Sequence, residues 1–443
     1  MKILFLSENF PPESNAAATR VYERAIYWVK WGHQVTVITS QPNFPEGKLF
    51  AGYANKRHEE TMDGMRIIRV RTYIAANKGV AHRTLDFLSF MVTGFLAGLR
   101  EPRPDVVVAT SPQFFAAVAG WAIGAVRRIP FVFELGDLWP ASITAVGAMK
   151  KSFALSLVEK FELFLYRRSA AVVALTRSFK DDLMARGIAG GKIAVVINGV
   201  DLSRYAPRDR DADLASQHGL TGKFVVGYVG THGMAHALGN VLDAAELLKK
   251  SGNDKARDDI RFLLAGAGAE RDTLMADAVA RGLDNVIFME RQGKEAMPRV
   301  WSLCNVALVH LKNSPVFAGV IPSKIFEAQA MGLPILLAAP GGEASEIIRV
   351  DKAGLHVDAQ NPRALLDGVL DLYTDGQKRA VFAANSIAAA PGHSRETQGR
   401  DMLKVLELAA AGAGHTAESV NGEKPLRQDA AYQGADQVPE DGL

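Results

Sequence analysis

The 443-residue sequence predicts an α/β protein: two doubly wound parallel-sheet, Rossmann-like domains facing an interdomain cleft. Three observations carry that expectation. Short apolar runs alternate with amphipathic segments along most of the chain, the pattern of β-α-β units. The length exceeds what one ordinary core fills. A polar stretch with Pro207 and a charged run from Arg208 to Asp213 interrupts the series, as a linker does. The expected boundaries are 1–200 for the first domain, 201–222 for the linker and 223–393 for the second domain. A helix at about 394–410 is expected to pack back on the first domain, and 412–443, with no periodicity, to be a disordered tail.

Taken in order, residues 2 to 7 and Val35–Thr39 read as strands, with an amphipathic helix from Thr19 to Trp31 between them closed by Gly32. Further strands are expected at Arg66–Val70, Asp105–Ala109, Phe131–Glu134, Ala171–Ala174 and Ile193–Ile197. The intervening helices run from Thr84 to Leu99, Phe114 to Arg127, Lys151 to Arg168 and Ser178 to Arg186. After the linker the series resumes with Phe224–Val229, Arg261–Ala265, Val286–Met289, Val306–Val309, Ile335–Ala338 and Leu355–Val357. The loop Glu8–Ala18 follows the first strand, where open parallel sheets bind ligands, but it holds no glycine, which excludes a dinucleotide fingerprint.

Composition narrows the function classes. No run approaches about 20 apolar residues, so no spanning helix is expected. The short apolar start meets Pro11-Pro12 where a signal peptide would be cleaved, and reads as a strand. The single cysteine, Cys304, excludes an internal disulfide and fits a cytoplasmic protein. Residues 1–200 hold 25 Lys and Arg against 16 Asp and Glu; the remainder holds 26 against 32. A basic first half beside an acidic second half suggests that the first faces something anionic. No nucleic-acid-binding pattern accompanies it, so an anionic membrane surface is the expected partner and peripheral attachment to the inner face of the plasma membrane the expected location. The apolar helices containing Leu85–Val92 and Phe153–Tyr166, with basic ends, suit either interfacial contact or buried packing.

The stretch Ile321-Pro322-Ser323-Lys324-Ile325-Phe326-Glu327-Ala328-Gln329-Ala330-Met331-Gly332-Leu333-Pro334 is the richest in chemistry. Ser323 suits an N-cap, and Gly332 and Pro334 a stop. Such a helix start with Lys324 beside it suits a phosphate, while Glu327 suits paired hydroxyls such as those of a ribose. A capped helix with a solvated Lys-Glu pair is the alternative.

Several segments together resemble the GT-B glycosyltransferases, specifically the retaining family-4 enzymes, in the branch of bacterial O-antigen and colanic-acid assembly that includes L-fucosamine transferases. They are Phe10-Pro11-Pro12-Glu13, Gly32-His33-Gln34-Val35-Thr36-Val37-Ile38-Thr39, Pro42-Asn43-Phe44-Pro45-Glu46-Gly47, Pro104-Asp105-Val106-Val107-Val108-Ala109-Thr110-Ser111-Pro112, Gly136-Asp137-Leu138-Trp139-Pro140, Asn198-Gly199-Val200-Asp201 and Ile321-Pro322-Ser323-Lys324. The likeness spans about residues 1 to 410.

The resemblance implies a nucleotide-sugar donor on the second domain and an acceptor on the first. The second glutamate of the family's Glu-x7-Glu motif, a ribose ligand, falls on Glu327; the first falls on Gly319 and is missing. The usual Arg and Lys after the first strand of the second domain are missing too, so the diphosphate is assigned to the amides of Gly233 and Met234 with Lys324. Gly266, Gly268 and Arg291 are expected near the nucleotide, with Ile321, Pro322 and Ser323 beside Lys324. On the acceptor side stand Asn15, Ala16, Ser111, Asp137, and His82 and Arg83 in a loop facing a lipid diphosphate. Asp137 either orients or deprotonates the acceptor hydroxyl or caps a turn.

The implied reaction is sugar transfer with retention to a polyprenyl-diphosphate-linked sugar, catalysed by stabilising the leaving charge. No Asp-x-Asp metal site stands in a suitable loop and no histidine ligands cluster in the sequence, so no metal or other cofactor is expected. The missing carboxylate at Gly319 leads to an expected UDP-linked, N-acetylated and 6-deoxy donor. The rival readings are a nucleotide-sugar epimerase or hydrolase and an inactive scaffold of a polysaccharide assembly complex.

Overall fold

Eight strands form the first sheet: β1 (Lys2–Leu6), β2 (Gln34–Ser40), β3 (His58–Met62), β4 (Met65–Val70), β5 (Val106–Thr110), β6 (Phe131–Leu135), β7 (Ala171–Ala174) and β8 (Ile193–Val195). Their spatial order is β3-β4-β2-β1-β5-β6-β7-β8. The computed structural model describes residues 1–13, 15–44, 46–74, 80–111, 114–136 and 153–412. Helices on both faces explain why β5 and β6 are buried at every position and read as unbroken apolar runs. All pairings are parallel except β3 with β4. That hairpin was not expected from the sequence, because His58-Glu59-Glu60-Thr61-Met62 is a largely exposed edge strand without an apolar face. Its one signal is Asp63-Gly64, whose φ values of 48° and 78° are those a two-residue hairpin turn requires.

The main helices of this domain are α1 (Ala16–Lys30), α2 (Val80–Arg100), α3 (Phe114–Arg127) and α4 (Phe153–Arg168). Asn15 caps α1, its side-chain oxygen accepting from the Ala18 amide at 2.9 Å. Leu85, Val92 and Leu96 of α2 and Leu157, Phe161 and Phe164 of α4 leave much of their apolar surface exposed. Trp121 of α3 packs edge-on against Phe161 and Phe164 of α4. Among the described residues no helix is long and apolar enough to cross a membrane.

The second sheet holds β9 (Phe224–Val229), β10 (Ile260–Ala265), β11 (Val286–Met289), β12 (Val306–His310), β13 (Ile335–Ala338) and β14 (Gly354–Val357). Their order is β11-β10-β9-β12-β13-β14, parallel throughout. The stretch read as a polar linker departs from that expectation. It contains the helix Ala212–Gln217, capped by Asp211, and buries Tyr205, Ala215 and Leu220 in the second domain's core. Arg210 fastens it by donating to the Lys223 carbonyl at 3.0 Å and to Asn305 at 3.1 Å. Three well-spaced apolar side chains were outweighed in the sequence by the charges around them. The last described helix, Arg395–Ala410, returns to α1: Met402, Val405 and Leu406 join Phe5 and Trp28 in one core, and the Trp28 indole donates to the Gly399 carbonyl at 2.8 Å. The tail from 413 onward lies outside the described residues.

One charged group is sealed inside the first domain. Glu134 of β6 is fully buried and meets Arg24 at 2.8 Å and Arg20 at 3.2 Å, both on α1. Burial opposes its ionisation, but the Arg24 and Arg20 guanidinium groups outweigh it and hold the carboxyl at about 2. Its folded value lies below the ordinary 4.5, so its contribution is complete above that value and is lost as pH falls toward about 2. We expect Glu134→Gln to lower the unfolding free energy by about 3–5 kcal/mol, because it strands two buried guanidinium groups. Urea unfolding at neutral pH checks this, and a loss under about 1 kcal/mol would contradict it.

Candidate active site

The carboxyl ends of β10, β9 and β12 lie side by side, and the loops leaving them build one floor. Gly230 donates to the Ala265 carbonyl at 2.9 Å, His232 to the Ala267 carbonyl at 2.9 Å, and Glu270 to the His232 carbonyl at 3.0 Å. This backbone-on-backbone approach is why glycines stand there. A Cβ on Gly266, whose φ is +149°, would fall 1.9 Å from the Gly230 oxygen; one on Gly268 would fall 2.2 Å from the His232 oxygen. Gly233 precedes the single 3-10 turn Met234–His236, and Met234 is 66% exposed.

Lys324 opens the seven-residue helix Lys324–Ala330 and reaches back over this floor. Its Nζ lies 3.6 Å from the centre of the Tyr228 ring and is buried without a hydrogen-bond partner. A Cβ on Gly230 would come within 2.9 Å of that amine. Burial lowers the amine to about 7, with the nearby Glu327 carboxylate opposing. Ser323 precedes the helix as expected, but its hydroxyl makes no capping bond, because its own backbone is already helical. Ile321 and Pro322 are half-buried beside it.

Three histidines surround the amine. His310 donates from Nδ1 to the His236 carbonyl at 2.7 Å, and its Nε2 accepts from the Asn240 amide at 2.9 Å, which fixes a neutral tautomer. His232 is fully buried and neither ring nitrogen has a partner. Burial, with Lys324 adding to it, pushes His236 and His310 down to about 4; for His232 burial is joined by Arg271 and then Lys324. The Arg271 Nε is likewise buried and unpartnered. Sequence reading missed this cluster, because His310 ends β12, 74 residues beyond His236 on the segment after β9 that also carries His232, and only the fold brings the three together. Among the described residues no group of three His, Cys, Asp or Glu is arranged to hold a metal ion.

Glu327 sits on the same helix as Lys324. Its Oε2 accepts from the Trp301 indole at 3.0 Å, and burial raises its carboxyl, opposed by Trp301, Lys324 and Arg395. Arg291 is exposed after β11. Gly319 ends the turn Pro315–Gly319, where a Cβ would lie 2.9 Å from the Cβ of Ser178 in the first domain. The Ser178 hydroxyl donates to Glu343 at 3.0 Å, so a carboxylate does stand near this turn, supplied by the helix Glu343–Asp351.

Across the cleft, Asn15 and Ala16 begin α1, and the Ser111 hydroxyl after β5 accepts from the Gly136 amide at 2.8 Å. Asp137 lies outside the described residues. His82 and Arg83 are not in a loop: α2 begins at Val80, so both are exposed in its first turn. The helix starts earlier than its apolar periodicity because its first residues are small or polar. The domains meet through Glu23 of α1, which takes Arg204 at 2.9 Å and Arg395 at 2.9 Å, and through Lys294, which donates to Thr19.

Two α/β domains, each built on a largely parallel sheet and facing one cleft, have the architecture of the GT-B glycosyltransferases. The chain belongs to the glycosyltransferases: residues 15–199 match the glycosyl transferase 4-like domain and residues 210–388 the glycosyl transferases group 1. It is 26% identical over 342 residues to the colanic acid biosynthesis glycosyl transferase WcaI of Escherichia coli (strain K12), covering 75% of this chain and 82% of that one. It is 25% identical over 392 residues, 87% of this chain and 92% of the relative, to a GDP-mannose-dependent alpha-mannosyltransferase of Mycobacterium tuberculosis (strain CDC 1551 / Oshkosh). The fold is shared with Anabaena HepE solved with UDP and glucose, at TM-score 0.67 and 19% identity over 92% of this chain and 99% of that one.

Proposed function

We propose that this enzyme is a retaining glycosyltransferase that moves a sugar from a UDP-sugar to a polyprenyl-diphosphate-linked sugar during assembly of a surface polysaccharide. One observation supports the donor half above all. The Lys324 amine, the single N–H of the neutral His232 ring and the Arg271 Nε are buried with no protein acceptor, and such donors are costly unless a ligand supplies oxygens. A diphosphate offers them with the matching charge. The amides of Gly233 and Met234 complete its binding, Gly266, Gly268 and Arg291 flank the nucleotide, and Ile321, Pro322 and Ser323 line the approach. Glu327, steadied on one oxygen by Trp301, takes the ribose hydroxyls. UDP in the HepE structure and the name of the colanic acid relative favour the donor and the pathway class.

In the reaction the bond from the anomeric carbon to the diphosphate breaks, its electron pair leaving on phosphate. The acceptor oxygen bonds the same face and its proton passes to the departing diphosphate. Lys324 stabilises the leaving charge, Asp137 orients the acceptor hydroxyl, and Asn15, Ala16, Ser111, His82 and Arg83 hold the acceptor. No metal or other cofactor takes part in this reading.

Diphosphate binding raises the Lys324 amine from about 7, so above that pH binding takes up a proton. We expect UDP affinity to be flat below about pH 7 and to fall above it by at most about tenfold per pH unit. Lys324→Met should remove the slope and lower the rate more than donor affinity. Calorimetry across this range checks both, and pH-independent binding would overturn the assignment.

Gly319 carries no carboxylate toward the donor sugar, which favours an N-acetylated, 6-deoxy sugar over one rich in hydroxyls. Competing donors at equal concentration should show faster transfer from UDP-N-acetylhexosamines than from UDP-glucose or GDP-mannose, and Gly319→Glu should slow transfer by meeting Ser178. Faster use of UDP-glucose sinks this preference. Running the assays in EDTA checks the metal-free reading; turnover lost there and restored by magnesium contradicts it.

The exposed apolar rows of α2 and α4, beside the basic surplus of the first 200 residues, support docking on an anionic membrane from the cytoplasmic side. Vesicles containing phosphatidylglycerol should sediment the protein at low salt and release it as salt rises. No sedimentation at low salt refutes membrane docking.

A further inference from the structure

The carboxyl edge of the first sheet, opposite the anion-seeking floor, carries the reverse chemistry. Glu8 follows β1 and is 4% exposed, and its Oε2 is buried without a hydrogen-bond partner. Its backbone is pinned, since the Glu8 carbonyl accepts from the Thr39 hydroxyl at 3.0 Å and the Ser40 hydroxyl at 2.8 Å. Asp86 of α2 stands beside it, half-buried, with Oδ1 also unpartnered. Glu13 is the third carboxyl nearby, but it is occupied, accepting from the amides of Asn43 and Phe44 at 2.8 Å each. The Thr19–Lys294 contact places this edge of the first domain against the donor domain.

We propose that Glu8 and Asp86 form a subsite for the carbohydrate acceptor, in which Asp86 accepts a hydrogen bond from a hydroxyl of that sugar. This rests on the transferase reading given above and names residues that reading leaves unused. Two unsatisfied carboxyl oxygens in a partly closed site are costly until something donates to them, and the hydroxyls of a sugar do so without adding charge. Among the described residues the ionisable groups bearing on the pair are Glu13, on the same loop as Glu8, and Arg83 on α2. Burial, then Asp86, Glu13 and Arg83 in that order, sets Glu8, which is held well above the ordinary carboxylate range and stays protonated. Burial and Glu13 raise Asp86 to about 7, with Arg83 opposing. Asp86 therefore changes ionisation near neutral pH and becomes a full acceptor as pH rises through about 7. Arg83, one turn before Asp86, stands where a charged group linked to that sugar would pass.

The test uses the full chain with UDP and a set of methyl glycosides as probes: neutral hexosides, 6-deoxyhexosides and 2-amino-hexosides, followed by saturation-transfer NMR. At least one glycoside should bind, more tightly at about pH 8 than at about pH 6, and lose about tenfold or more in affinity in Asp86→Asn together with its pH dependence. Glu8→Gln should weaken the same glycoside. Unchanged melting and UDP affinity identify both variants as folded, and Asp86→Asn, at a half-buried position, carries the conclusion if Glu8→Gln unfolds. Binding of only the amino sugars, with the opposite pH trend, overturns the hydroxyl assignment; equal binding to wild type and Asp86→Asn, or no glycoside binding at all, overturns the subsite. Failure of the transferase reading has a separate signature, since wild-type protein would then move no sugar from a UDP-sugar to any acceptor, whatever glycosides it binds.

Discussion

Glu23 fixes the geometry on which the cleft depends. From α1 it grips Arg204, where the chain leaves the first domain, and Arg395, where it comes back. Both crossings between domains are thus tied to one carboxylate, nearly buried at the hinge side of the cleft. A pair this well enclosed is less screened than a surface bridge, so it constrains where the two strand edges face each other. Lys294 reaching Thr19 and Glu343 reaching Ser178 add two more contacts around the same opening.

With the edges so held, each has its own charge logic. At the strand ends of the second domain the Lys324 amine, the His232 ring and the Arg271 Nε stand without partners; in the first domain Glu8 Oε2, after β1, and Asp86 Oδ1, on α2, do so. Net charge therefore misleads about these groups. The basic surplus of residues 1–200 belongs to the outer surface, where Arg103 and Arg167 lie. In the transfer proposed above, that asymmetry serves a diphosphate on one side and an alcohol on the other.

How much of this was legible followed from how local each signal is. Parallel central strands announce themselves as apolar runs, and β5, β6 and β12 were read nearly to the residue. The edge strand β3 was not, because an exposed strand needs no apolar face, and the connector around Tyr205 and Leu220 was masked by its charges. Lys324 and Glu327 share one short helix, so their pairing could be inferred from spacing. His232, Arg271, Glu8, Asp86 and Glu343 acquire meaning only when distant loops converge, and no periodicity encodes that convergence. The empty place of the motif glutamate was legible at Gly319, but not that Glu343 brings a carboxylate to the neighbouring Ser178.

The neutral histidines explain how the donor floor stays open in the free enzyme. A buried amine ordinarily finds a carboxylate of its own protein, and Glu327 is close enough to influence Lys324. It does not neutralise it, because Trp301 holds one carboxyl oxygen and no bond forms to Nζ. His236 and His310, tied to each other's backbone, present rings that stay uncharged at neutral pH and cannot attract a carboxylate in place of the ligand. Surrounding one titrating amine with neutral imidazoles and a Tyr228 face keeps it desolvated but unpaired. In the transfer proposed above, the energy withheld from internal pairing is left for an arriving anion, the differential stabilisation that a departing diphosphate needs.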